Sequence, residues 1–188
     1  VQGSWRAGTG RVDGIALATA QGRAADLDVS QFSPEDDRHW AQWLADPARP
    51  KAIHDAKGPL LALEAHGWAL GGLAADTALG AYLVRPDQRS YDLADLAVRY
   101  LKRELGTESG SDQGLLFGAD DVVAEPAMAR AHATVELAGV LAVEIEAHGG
   151  THLLEDVELP LVSTWNDSPR WRPSSALRSA ARPIRPSR

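Results

Sequence analysis

Between Lys51 and Val84 short apolar runs alternate with helix-start signals, and this rhythm confines the chain to a layered α/β domain. Lys51-Ala52-Ile53-His54 reads as a short buried strand. Pro59 to His66 follows as a helix, with Leu60, Leu61 and Leu63 inward and Gly67 as its stop. Leu73-Ala74-Ala75 is a second brief strand that leads into Asp76, and Asp76 precedes a helix over Thr77 to Val84. Upstream, Val12 to Ala18 turns at Gln21-Gly22 into Ala24 to Val29, a hairpin signal. A hairpin beside these alternating units argues against an all-parallel sheet, so a mixed sheet is expected.

Other helices are marked by their ends. Ser33-Pro34-Glu35-Asp36-Asp37 supplies an N-cap, a proline at the first helical position and acids in the first turn. Trp40, Trp43 and Leu44 give that helix its apolar face, and Asp46-Pro47 ends it. Asp76 to Val84 and Tyr91 to Leu101 read as two short capped helices joined by a turn at Pro86, with Asp76 and Asp92 as structural caps. Residues 106–125, rich in Gly, Ser and Asp, read as a mobile surface loop, in which Leu115-Leu116-Phe117 could dock on the body. Pro126 to Ala147 is a long helix broken by Gly149-Gly150. Leu153 to Leu161 starts another, interrupted by Pro160.

A chain of 188 residues is long enough for one domain with a real core. No run approaches the ~20 apolar residues of a membrane span. The first residues lack a signal-peptide pattern. There is no cysteine, hence no disulfide partner and no thiolate metal site. A cytoplasmic, soluble protein is the expectation. The net charge of -7 is uneven: residues 163–188 hold six Arg and one Asp, whereas residues 1–162 hold 13 basic and 25 acidic side chains. An acidic body suits solubility or divalent cations better than generic phosphate binding.

The stretch Gly67-Trp68-Ala69-Leu70-Gly71-Gly72-Leu73-Ala74-Ala75-Asp76-Thr77, extended by Ala81-Tyr82-Leu83 and Tyr91-Asp92-Leu93, resembles the middle of the 3′–5′ proofreading exonuclease domain of bacterial DNA polymerase I, the family A polymerases. Val12 to Ala18 is similar to that domain's second strand, and His54-Asp55-Ala56-Lys57 to the start of its second motif. Glu158-Leu159-Pro160-Leu161 resembles the junction where the polymerase domain begins. The resemblance covers residues 10–162 and implies a ribonuclease H-like three-layer fold with a mixed sheet. It divides the chain into an exonuclease-like domain (1–150), the start of a polymerase domain (151–162) and a tail (163–188). DNA and the polymerase domain of the parent chain are the implied partners, in DNA replication and repair.

The same resemblance implies a hydrolytic site of two Mg²⁺ ions held by carboxylates. The family's first, central strand carries an Asp-x-Glu pair, its second motif one Asp, and a late helix a Tyr-x-x-x-Asp. Here no Asp-x-Glu stands upstream of Gly14, so that strand is expected to be truncated or missing, leaving two sheet edges open and the fold marginally stable. Pro59 stands where the second-motif Asp would bind metal, and Asp55 lies four residues earlier. In the late helix Glu136 is the one carboxylate between Arg130 and Gly139, with His132 where the Tyr would be. The expectation is therefore a degenerate exonuclease fold with no catalytic or metal residues and no cofactor, retained as a scaffold within DNA polymerase I. Two alternatives stay open: an active Mg²⁺-dependent exonuclease, for which Asp55 and Glu136 are the remaining candidates, and a stand-alone interaction module with no nucleic-acid role.

Other suggestive residues have plainer readings. His148 and His152 are separated by two glycines and suit solvated helix ends. His54 reads as a core residue and His66 as a surface one. Tyr82, Trp40, Trp43 and Trp68 suit packing, and Gly71-Gly72 lacks the Lys and Ser of a phosphate loop. After Val162 periodicity is lost. In G+C-rich codons, Trp165 to Pro173 read one base earlier can give Leu-Glu-Arg-Leu-Ala-Ala-Met-Glu-Ala, a helix of the type expected to follow. The tail is thus expected to be non-native through a frameshift, or else a disordered basic arm.

Overall fold

The structure, a computed structural model, describes residues 1–6, 9–106 and 119–164, with side chains left aside at 119–125 and 163–164. The apolar element Leu115-Leu116-Phe117 and nearly all of the tail fall outside the described residues. Strands β1 (Gln2–Ser4), β2 (Arg11–Ala18) and β3 (Ala24–Asp28) form an antiparallel sheet in that order. The β2–β3 turn is the expected hairpin, and Gly22 takes a left-handed φ of 85° there. Strands β4 (Lys51–Ile53) and β5 (Leu73–Asp76) pair in parallel as a second sheet. Antiparallel and parallel pairing thus coexist, as expected. Among the described residues no ladder joins the two sheets, and β1 is a three-residue stub on the open side of β2.

Helix α1 (Pro34–Ala45) begins with a reciprocal capping box: Asp36 N–H donates to Ser33 Oγ and Ser33 N–H to Asp36 Oδ2. Its tryptophans pack inward, with Trp40 and Trp43 stacked at 5.0 Å and Trp68 edge-on to Trp40 at 6.5 Å. Helix α2 (Lys57–His66) ends at Gly67, whose φ of 95° is open to glycine without strain. Helix α3 (Thr77–Val84) and α4 (Leu93–Leu96), which continues as a π turn over Ala97–Leu101, complete the middle of the chain.

Helix α5 runs from Ala119 to Ala147. The expected loop therefore gives up its last third. Ala119-Asp120-Asp121 looks like a turn in sequence, but acids suit the first turn of a helix. A second correction concerns Pro160. The final helix is continuous, as α6 (Thr151–Leu153), a π turn (Leu154–Glu158) and α7 (Leu159–Thr164). In a regular α-helix Pro160 would collide with the carbonyl four residues back. The wider π turn immediately before it accommodates the ring.

Helix α5 packs on β2, β3 and β4, while α2 packs on β1 and β2. Two apolar clusters result. Leu96, Leu137, Leu141 and Ile145 centre one around α5; Val12, Ile15, Leu44, Leu63 and Trp68 centre the other under the hairpin.

Candidate functional site

A cleft of about 900 Å³ is lined by β1 and β2 on one side and by β4 with its following turn on the other. Its polar lining includes Gln2, Lys51 and Thr134 together with charged and titratable groups. His54, Asp55, Asp92, Asp95 and Arg130 all line it. Local structure explains each placement. His54 and Asp55 follow the end of β4, where Asp55 takes a left-handed φ of 48°, a conformation that Asp tolerates better than most residues. Arg130 projects from the face of α5 that also presents Ala127, Ala131 and Val135.

Asp76 is the organising carboxylate. It is buried, and it accepts four backbone N–H bonds: from Ala78 at 3.0 Å and Leu79 at 3.3 Å in α3, and from Asp55 at 3.1 Å and Ala56 at 2.9 Å ahead of α2. The expected cap of α3 is present, and the same side chain also caps the start of α2, where Ala56 has none to offer. Beside it His54 Nδ1 lies 2.9 Å from Thr77 Oγ1. Burial pushes the His54 imidazole below its ordinary pKa; the charges of Asp76 and Asp55 oppose the shift and Arg130 reinforces it. Asp92 differs from expectation. It holds the N-cap position of α4 but makes no side-chain cap bond, because Oδ2 accepts from Ser90 Oγ instead, at 3.2 Å.

The two candidate metal carboxylates are separated. Asp55 is exposed at the cleft. Glu136 lies outside the cleft lining and pairs with Arg103 at 3.2 Å. His132, in the place of the family's Tyr, reaches the Gly22 carbonyl at 3.1 Å and ties α5 to the hairpin turn. Pro59 is buried in the cleft wall. Among the described residues no three of His, Asp and Glu converge as a metal cage. His148 Nδ1 bonds the Glu144 carbonyl and His152 pairs with Asp156, so the two do not share a ligand. His66 is exposed against Asp37 and Trp68.

Two features lay beyond the sequence reading. Lys51 is buried, and its ammonium donates to the carbonyls of Asp46, Arg49 and Gly71, each at 2.9 Å, with Nζ 4.9 Å from the Trp43 ring centroid. Desolvation lowers its pKa. Gly71 and Gly72 serve this junction: a Cβ at Gly71 would fall 2.2 Å from the Ala45 carbonyl oxygen. A Lys in a strand gives no sign that three loop carbonyls will converge on it.

A layered α/β body, with a hairpin followed by strand–helix–strand and a cleft beside β4, defines a ribonuclease H-like domain. Brucella melitensis NrnC has this fold at a TM-score of 0.66 and 17% identity, over 84% of this chain and 76% of that one. The family described as DNA polymerase I, ribonuclease H-like domain, matches residues 9–109, and the chain belongs to it. DNA polymerase I of Mycobacterium tuberculosis is 46% identical over 156 residues, which is 81% of this chain and 17% of that protein. The Mycobacterium leprae enzyme is 43% identical over 157 residues. The solved POL domain of Pol1 from M. smegmatis, in complex with DNA primer-template and dNTP, superposes with a TM-score of 0.77 at 40% identity, over 89% of this chain and 27% of that one. No described helix is long and apolar enough to cross a membrane.

Proposed function

We infer that this chain is a non-hydrolytic exonuclease-like domain that serves a DNA polymerase I as a scaffold. The observation that carries the reading is the separation of its carboxylates: Glu136 is engaged by Arg103, whereas Asp55 shares the cleft with the cationic Arg130. Two-metal hydrolysis needs several carboxylate oxygens on one pair of ions. Asp76 is not available for that task, since both its oxygens are committed to backbone donors. The likeness to mycobacterial polymerases supports the placement in a DNA polymerase I, with DNA and the polymerase body as partners.

Residues 151–162 fit the start of the polymerase body. There Leu153, Val157 and Leu161 recur at a spacing of four and stand 44%, 40% and 54% exposed, an apolar stripe suited to packing against that body. The test is degradation of 3′-labelled single-stranded DNA with Mg²⁺ or Mn²⁺. No metal-dependent turnover is expected, and Asp55→Ala and Glu136→Ala should change nothing. Mg²⁺-dependent degradation that Glu136→Ala abolishes would restore the active-exonuclease reading. A salt-dependent DNA-binding titration addresses the partner: no binding at low salt favours an interaction module without a nucleic-acid role.

A further inference from the structure

We propose that the pocket around the Lys51 ammonium is a monovalent-cation site in its own right, selective for ammonium-type ions, which Lys51 fills with a tethered ligand. Three carbonyl oxygens define it: Asp46 at the end of α1, Arg49 in the turn that follows and Gly71 ahead of β5, each 2.9 Å from Nζ. A lysine ammonium has three N–H donors, and these carbonyls take all of them. The Trp43 ring closes a further side, with its centroid 4.9 Å from Nζ, and offers the charge an electron-rich face. Helix α1 has no basic residue in its last turn, so the cation at Asp46 also meets the negative end of that helix dipole.

The donor set selects the ligand. The Asp46 carboxylate is engaged elsewhere, by the Ala48 N–H at 2.9 Å and by Arg49 Nε at 3.1 Å. What faces Nζ is neutral carbonyl oxygen, which suits a monovalent ion; Mg²⁺ and Ca²⁺ draw on carboxylates and a fuller set of oxygens. The pocket also keeps its shape without the lysine stem. Gly71 N–H donates to the Leu44 carbonyl at 2.9 Å and Lys51 N–H to the Gly72 carbonyl at 2.8 Å, so backbone bonds hold the two loops together. Gly72 has a left-handed φ of 68°, and a Cβ there would fall 2.6 Å from the Arg49 carbonyl oxygen. The close approach that makes the carbonyls converge therefore comes from the glycines and the ladder. Cutting the side chain back to Ala removes the atoms of a propylammonium ion and leaves buried carbonyls without their donor.

The test is chemical rescue of Lys51→Ala, read as urea unfolding by circular dichroism. The variant should unfold at lower urea than the unmodified chain, and propylammonium chloride should raise its midpoint again. At about ten times its Kd the ion should favour the folded form about tenfold. Tetramethylammonium chloride at the same concentration has no N–H donor and should leave the midpoint where it is. Propylammonium should also leave the unmodified chain and Lys51→Met unmoved, because their side chains fill the pocket. Should Lys51→Ala fail to fold, its refolding from urea on addition of propylammonium carries the same readout. No rescue by propylammonium, equal rescue by tetramethylammonium, or equal stabilisation of the unmodified chain would overturn the proposal. So would a Lys51→Ala variant as stable as the unmodified chain.

Discussion

Replacing Asp76 with Ala should destabilise the chain far more than loss of one helix cap. The carboxylate is 6% exposed and accepts from Ala78, Leu79, Asp55 and Ala56. Loss of the α3 cap costs ~1 kcal/mol. The Asp55 and Ala56 amides would then lack their acceptor at the start of α2, at about 1–3 kcal/mol each. Together these give about 5 kcal/mol, which for a chain of this size corresponds to a melting shift of about 10–20 °C. Asp76→Asn should fall between wild type and Ala: one oxygen remains, but an NH₂ would meet a backbone N–H. Urea unfolding monitored by circular dichroism measures both. Asp92→Ala is the control, because Asp92 makes no cap bond to α4, and it should cost under ~0.5 kcal/mol. The reasoning fails if Asp76→Ala and Asp92→Ala are equally mild, since the four bonds would then contribute nothing to the fold.

Two further substitutions test other parts of the frame. Lys51→Met should cost about 2–3 kcal/mol in the same assay, because the carbonyls of Asp46, Arg49 and Gly71 lose a shared charged donor; a cost near zero would mean that water replaces the ammonium freely. His54 should make stability depend on pH. Its pKa is depressed in the fold, so the unfolded chain binds the proton more readily. Stability is then intact above about pH 6.5 and declines as pH falls below it. His54→Gln should flatten that decline, and an unchanged slope would count against it. The depressed Asp28 and Asp36 carboxylates act at lower pH, below the ordinary aspartate range.

Signals that are local in the chain were legible in sequence. Ser33-Pro34 predicted the start of α1, Gly67 the end of α2 and Asp76 the cap of α3, because each works within one turn of its own residue. Contacts across the chain were not. Asp76 reaches Asp55 and Ala56 about twenty positions away, and Lys51 meets Gly71 only once β4 and β5 have paired. Where local signals compete, the outcome was also hidden. Ser90 takes the Asp92 side chain from its cap, and a π turn spares the helix at Pro160. Asp55 and Glu136 were legible as the remaining carboxylate candidates, because the resemblance sets each near a motif position. The Arg103 pairing that holds Glu136 outside was not, since it joins residues 33 apart.

The division of the sheet also divides the core, and this has a consequence for how the chain opens. One cluster gathers Leu96, Leu137, Leu141 and Ile145 around α5; the other gathers Val12, Ile15, Leu44, Leu63 and Trp68 under the hairpin. A cleft lined by β2, β4 and α5 lies alongside both. In a protein with one continuous sheet, hydrogen-bonded strands would couple two such clusters. Here α5 packing against β2 and β3 and the His132 bond to Gly22 provide coupling. Clusters joined through one helix rather than through a common ladder can open at different free energies. Native-state hydrogen exchange should therefore show amides of β2 and β3 opening at a lower free energy than those of α5 around Leu137. Equal opening free energies would show that α5 alone unites the clusters, and that the open edges cost the fold little.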